Sequence, residues 1–281
     1  MAGNILQLSA QSKERKIEEV TIQGKFLNLP VKKVSENVTV ITRDQIQNTP
    51  AKSVEEVLAQ FTGFDIRRRG SNGVQADISL RGSSFEQVLI LVNGIRMSDS
   101  QTGHNSMSLP FDLASVERIE VIKGPSARSF GQNAYAGVVN IITKASDEEN
   151  ILVSGSGGDF GTYALGLGAN FGSKKISNFI QVNTASSEGY RYNTDYKISN
   201  IYYQNEIALQ NGKLKFQAGI QEKKFGANGF YASPSATDQY EETQASIVSL
   251  GLNQNFNTIK LNSNIYWRRG QDMYAYIRNK P

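Results

Sequence analysis

The hydrophobic pattern changes character near residue 150. Downstream of it Tyr163, Leu165, Leu167, Ala169 and Phe171 fall on alternate positions, as do Ile201, Tyr203, Ile207 and Leu209, and again Leu214, Phe216, Ala218 and Ile220. Gln, Asn, Lys and Ser occupy many of the positions between. Period two with one polar side describes a sheet that is apolar on one face. The alternation predicts strands at about 151–157, 161–171, 176–186, 199–210, 213–224, 243–256 and 259–268. Short turns at Gly172 to Lys175, Asn211-Gly212 and Asn257-Thr258 alternate with long connections at about 187–198 and 225–242, rich in Tyr, Asn, Asp and Ser. Outer-membrane barrels have this short–long rhythm. A soluble sandwich can alternate along a strand equally well, but has no reason to gather its long loops at one end. Seven strands leave an open sheet, whose unpaired edge groups are costly in lipid. The sequence therefore reads as a piece of a longer wall, with further strands on the C-terminal side.

Upstream the pattern is mixed. Val38-Thr39-Val40-Ile41 reads as a strand from its β-branched content. Ser53-Val54-Glu55-Glu56 has capping-box spacing, and Val54, Val57, Leu58 and Phe61 follow at helical intervals up to Gly63. Ile78 and Leu80 alternate into Arg81-Gly82, and the apolar run 88–92 meets the hairpin pair Asn93-Gly94. Ile119, Val121 and Ile122 lie in a strand stopped by Gly124-Pro125, and Gly137 to Thr143 forms the last. The result is a small α+β unit of several short strands.

Composition narrows the function. With 39% hydrophobic residues the 281-residue chain can bury a core. It has no cysteine, which excludes disulfides, thiol catalysis and Cys-ligated metals. Its single histidine, His104, argues against a histidine metal site or catalytic dyad. No Ser/His/Asp order or carboxylate pair suggests an enzyme, and nothing calls for a cofactor or metal. The charge excess, 30 Lys+Arg against 26 Asp+Glu, is small and dispersed, so no nucleic-acid partner is expected. No apolar run approaches the ~18 residues of a membrane helix. Ile5, Leu6 and Leu8 fall short of a signal-peptide core; Leu8-Ser9-Ala10 reads either as the tail of a cleavage site or as ordinary leader.

Five motifs in order then carry a resemblance: Val38 to Ile41 with its helix; Ile78-Ser79-Leu80-Arg81-Gly82; Leu91-Val92-Asn93-Gly94; Val116 to Pro125; and Gly131 through Gly137 to Thr143. Together they resemble the plug domain of TonB-dependent outer-membrane receptors. The rear half is similar to the barrel of that family by pattern alone. The resemblance implies a flexible leader over 1–37, an α+β plug over 38–147, and the first seven strands of an antiparallel transmembrane β-barrel over 148–281. Gly82, Gly94, Gly124 and Gly137 are expected where a confined lumen tolerates no Cβ.

Site residues follow from the same resemblance. Ile17, Glu18, Glu19, Val20, Thr21 and Ile22 look like a TonB box, an extended segment able to add a strand to a partner's sheet; a plain edge strand is the other reading. Arg81, Arg118 and Glu120 resemble latch residues that pair with the barrel wall, the alternative being ordinary surface charges. Substrate contacts are expected on outward plug loops, from Ser71, Asn72 and Gly73 and from Asp99, Gln101, His104 and Asn105, although His104 reads equally as an incidental loop residue. Tyr190, Tyr192, Tyr196, Phe230, Tyr231 and Tyr240 could add aromatic contacts or form an interfacial girdle. Asp195, Asp238, Glu241 and Glu242 offer oxygen ligands for Ca²⁺ without a diagnostic spacing. The implied function is energised uptake of cobalamin or a ferric siderophore across a Gram-negative outer membrane, with TonB and outer-membrane lipids as partners. The competing reading is a surface adhesin or glycan-binding sheet protein without transport.

Overall fold

The computed structural model describes residues 37–278 apart from Thr62, Asn72, Ser100, Lys144 and Asp147. The segment 17–22 and Asn72 lie outside the described residues. The front unit begins with β1 (Asn37–Thr42), α1 (Arg43–Gln47) and α2 (Val54–Phe61). It continues with β2 (Asp65–Arg69), β3 (Gln75–Ser79), β4 (Val88–Val92), β5 (Ile95–Arg96), β6 (Val116–Lys123), α3 (Ala127–Phe130) and β7 (Gly137–Thr143). One sheet has the order β1-β6-β7-β4-β5, and β2 and β3 form a separate hairpin. Within the larger sheet β4 and β7 run parallel, and the other pairs are antiparallel.

The apolar run of β4 is explained by burial on both faces. Val88, Ile90 and Val92 point into the main core with Val57, Leu58 and Ile119, whereas Leu89 and Leu91 join Ile122, Ala134 and Val138 in a smaller cluster. Asn93 and Gly94 stand at φ 51° and 81°, the double left-handed turn that the dipeptide predicts. Two expectations fail locally. Ser53 does not cap α2: its hydroxyl has no partner, and Glu56 Oε2 accepts from the Lys52 N–H at 2.8 Å instead. A full capping box occurs at Thr42 and Gln45, starting α1, which has too few apolar residues to announce itself.

The rear half is a seven-stranded antiparallel meander: β8 (Asn150–Gly157), β9 (Tyr163–Ser173), β10 (Ile176–Ser187), β11 (Tyr196–Leu209), β12 (Gly212–Gly226), β13 (Tyr240–Phe256) and β14 (Ile259–Ala275). Two-residue turns at 174–175, 210–211 and 257–258 lie at one end; the longer connections 158–162, 188–195 and 227–239 lie at the other. The predicted strands are present but several are longer, because backbone pairing continues past the apolar alternation. The outward face exposes Leu165, Leu167, Val182, Ile201, Leu250 and Ile265. The inward face sends Phe179, Tyr202 and Ile247 into the core of the front unit. The front unit is therefore seated against the polar side of the sheet, which forms its wall.

Candidate functional site

The β2–β3 hairpin carries the first outward plug loop, with Gly70 and Gly73 at φ 76° and 74° turning its tip. At its base Arg69 Nη1 donates to Asp77 Oδ2 at 2.5 Å, and His104 Nδ1 lies 2.7 Å from Asp77 Oδ1. His104 comes from the second outward loop, where Thr102 accepts from its backbone N–H, and its ring stacks on Phe85 with centroids 4.4 Å apart. Asp77 thus joins the two loops at the long-connection end of the sheet.

Side chains from the wall complete the arrangement. Lys223 of β12 is buried and donates to the carbonyl oxygens of Gly73 at 2.7 Å and Val74 at 3.2 Å. Val74 packs against Tyr196, Ile198, Phe225 and Phe230. Arg268 of β14 donates to Ser98 O at 2.5 Å and pairs with Asp99 Oδ2 at 3.4 Å. Tyr231, from connection 227–239, donates to Glu241, while its ring lies 5.8 Å from His104, 5.6 Å from Tyr274 and 5.7 Å from the Arg69 guanidinium. Burial, with the Glu241 carboxylate behind it, pushes the Tyr231 hydroxyl up, so it stays a neutral donor at physiological pH.

Of the residues expected to meet substrate, Ser71 and Gln101 are exposed. Gly73 supplies a carbonyl to Lys223. Asp99, His104 and Asn105 are already engaged in contacts within the plug or with the wall. The Arg118 guanidinium donates to Glu120 Oε1 at 2.9 and 2.8 Å, and Asn140 Nδ2 reaches Glu120 Oε2 at 3.1 Å. These two latch candidates are thus paired with each other on β6. Arg81 is exposed at φ 53° and forms no ion pair among the described residues.

Amides carry much of the polar contact between plug and wall, and sequence reasoning passed over them. Asn93 Nδ2 donates to Gln217 Oε1 at 2.6 Å and to Thr143 Oγ1 at 2.8 Å. Thr143 Oγ1 donates to Gln204 Oε1 at 2.5 Å, and Gln221 Nε2 to Leu109 O at 2.5 Å. Gln181 donates to Asp112, whose carboxyl is pushed above the usual range by burial, with that hydrogen bond opposing the shift. The available signal was glutamine recurring on the polar positions of β10, β11 and β12.

The outer connections hold their own contacts. Arg278 pairs with Asp195 at 2.6 and 2.8 Å and lies 4.6 Å from the Tyr240 ring centroid; Tyr192 donates to Asp238 at 2.8 Å. Glu242 meets Lys224 at 3.0 Å. The four carboxylates considered for Ca²⁺ are thus engaged separately, and no group of three His, Cys, Asp or Glu side chains suited to a metal occurs among the described residues.

Residues 30–138 match the family model of the TonB-dependent Receptor Plug Domain. The vitamin B12 transporter BtuB of Vibrio cholerae is 37% identical over 157 residues, covering 55% of this chain and 25% of that protein. BtuB of Photobacterium profundum is 27% identical over 257 residues, covering 86% of this chain and 41% of the relative. The chain thus spans well under half the length of these relatives. Among solved structures, the ferric yersiniabactin uptake receptor FyuA from Yersinia pestis superposes with a TM-score of 0.70 over 85% of this chain and 41% of its own, at 16% identity, a likeness of fold.

Proposed function

Because this chain is a TonB-dependent receptor in its plug and in the wall strands that follow, we propose that the protein takes up a scarce, bulky nutrient across the outer membrane, with a corrinoid as the first ligand to test. The observation that carries the reading is the seating of the plug: its two outward loops converge at Asp77 and are tied to the wall by Lys223 and Arg268, so material reaching the long-connection end meets the plug. The BtuB relatives support a corrinoid. A ferric siderophore is the second reading, supported by the likeness of fold to FyuA. Ser71 and Gln101, both exposed, are the first residues such a ligand would meet, and Asn72 and Gly73, which follow Ser71 in sequence, are proposed with them. His104 and Asn105 act from behind, by holding the second loop. No chemistry is done on the ligand.

Work enters from the opposite end. Residues 17–22 would pair as a strand with TonB, and the stretch from Gly24 to Asn37 can span ~45 Å at about 3.3 Å per residue when extended. Deleting residues 17–22 is expected to abolish uptake while surface binding persists; loss of binding as well would count against the box. Equilibrium binding of labelled cyanocobalamin and of a panel of ferric siderophores to cells carrying the intact gene tests the ligand. Saturable binding of neither class would remove the uptake reading.

A further inference from the structure

Two wall cations bind main-chain oxygens of the plug. Lys223 donates to Gly73 O and Val74 O of the first outward loop, and Arg268 to Ser98 O at the start of the second. Both are sequestered: Lys223 is 3% exposed, and the Arg268 and Asp99 side chains are 11% and 8% exposed. A buried cation is tolerated when carboxylates and hydrogen-bond acceptors surround it. For Lys223 the carboxylates are Glu55 on α2 and Glu241 on β13, and for Arg268 the partner is Asp99. The two clamps stand on different strands, hold different loops and have different counter-charges. Because the acceptors are carbonyl oxygens, each clamp depends on the loop's backbone position, and a loop that lifts takes its acceptors with it.

We propose that Lys223 and Arg268 are positioning residues, each holding its own outward plug loop against the wall, so that losing either cation loosens that loop more than the one joined to it through Asp77. This rests on the reading that these loops meet the ligand. The test needs no ligand, so its failure is distinct from failure of the uptake reading.

These 281 residues have no cysteine, so once any cysteine elsewhere in the full-length protein is replaced, one introduced thiol carries the reporter. A nitroxide is attached at Ser71→Cys or at Gln101→Cys, both exposed, in the full-length protein in outer-membrane preparations. Lys223→Met is expected to raise the mobile fraction at position 71 severalfold and that at position 101 much less, through the Asp77–His104 contact that joins the loops; Arg268→Met should do the reverse. Heat-modifiable gel migration checks that the barrel has assembled. Lys223→Gln and Arg268→Lys, which keep a donor, should shift the same labels less and serve if a methionine variant does not assemble. Two outcomes overturn the proposal: a label unmoved by loss of its own cation, or both labels loosened equally by either variant.

Discussion

A β-carbon at Gly137 would come within 2.7 Å of the Ile122 carbonyl oxygen and 3.0 Å of Leu80 Cδ2. That is the crowding expected of a plug glycine. Gly82, Gly94 and Gly124 obey a different rule: a β-carbon there would meet nothing within 4 Å, but their φ values of 80°, 81° and 122° are disfavoured for L side chains. Gly137→Ala is expected to destabilise the plug by roughly 1–3 kcal/mol, since backbone must shift to admit the methyl group. A urea titration of protease resistance within residues 38–143 reads that loss, and an unchanged midpoint would show that the contact relaxes freely. At this scale sequence identified the glycines but could not separate crowding from chirality, because both select the same residue.

The wall strands divide their residues by parity. On β9 and β10, Leu167 and Val182 are directly paired, and both side chains are exposed on the outer face. An arginine in place of Leu167 would put a charge on the exposed apolar face, which under the proposed function meets hydrocarbon, at a cost of about 2–4 kcal/mol near the bilayer midplane. Denaturant unfolding in lipid vesicles should show that loss, and a much smaller effect in solution-exposed variants such as Lys174→Arg. The alternation was legible because period two is a local property. The ends of β13 and β14 were not, since Tyr240 pairs with Ala275 through backbone groups whatever the hydropathy of their side chains. Helix α1 escaped for the opposite reason: with Ile46 its only buried residue, it is held by the Thr42–Gln45 cap more than by a periodic apolar face.

Across the whole molecule, the polar contact between plug and wall runs through amides and a few buried cations, beside the apolar contacts of Phe179, Tyr202 and Ile247. Asn93 and Gln217 are 124 positions apart in the chain and 2.6 Å apart in space. Asn93→Ala and Gln217→Ala should each lower the urea midpoint of plug release, and the double variant should lower it by less than their sum, with a coupling energy of about 0.5–3 kcal/mol. Strict additivity would mean that this bond contributes nothing to holding the plug. Asn93 also serves the turn after β4, accepting from the Thr143 N–H at 3.0 Å, so part of its single-variant effect belongs to the plug alone. The cycle separates the two contributions.

Local pattern was sufficient for the seven wall strands apart from the ends of β13 and β14, for β1, β4, β6 and β7 but not β2, for the Asn93-Gly94 hairpin, for the change of regime near residue 150 and for the sorting of long and short connections. Each follows from residues a few positions apart, where period, turn chirality and β-branching act. Tertiary structure decided which polar groups meet. Arg118 finds Glu120, Lys223 finds the backbone of Gly73 and Val74, and His104 is held between Asp77 and Phe85. A glutamine or lysine on an inward strand position can donate to many partners; register and seating choose among them, and these depend on burial summed over the whole plug–wall interface.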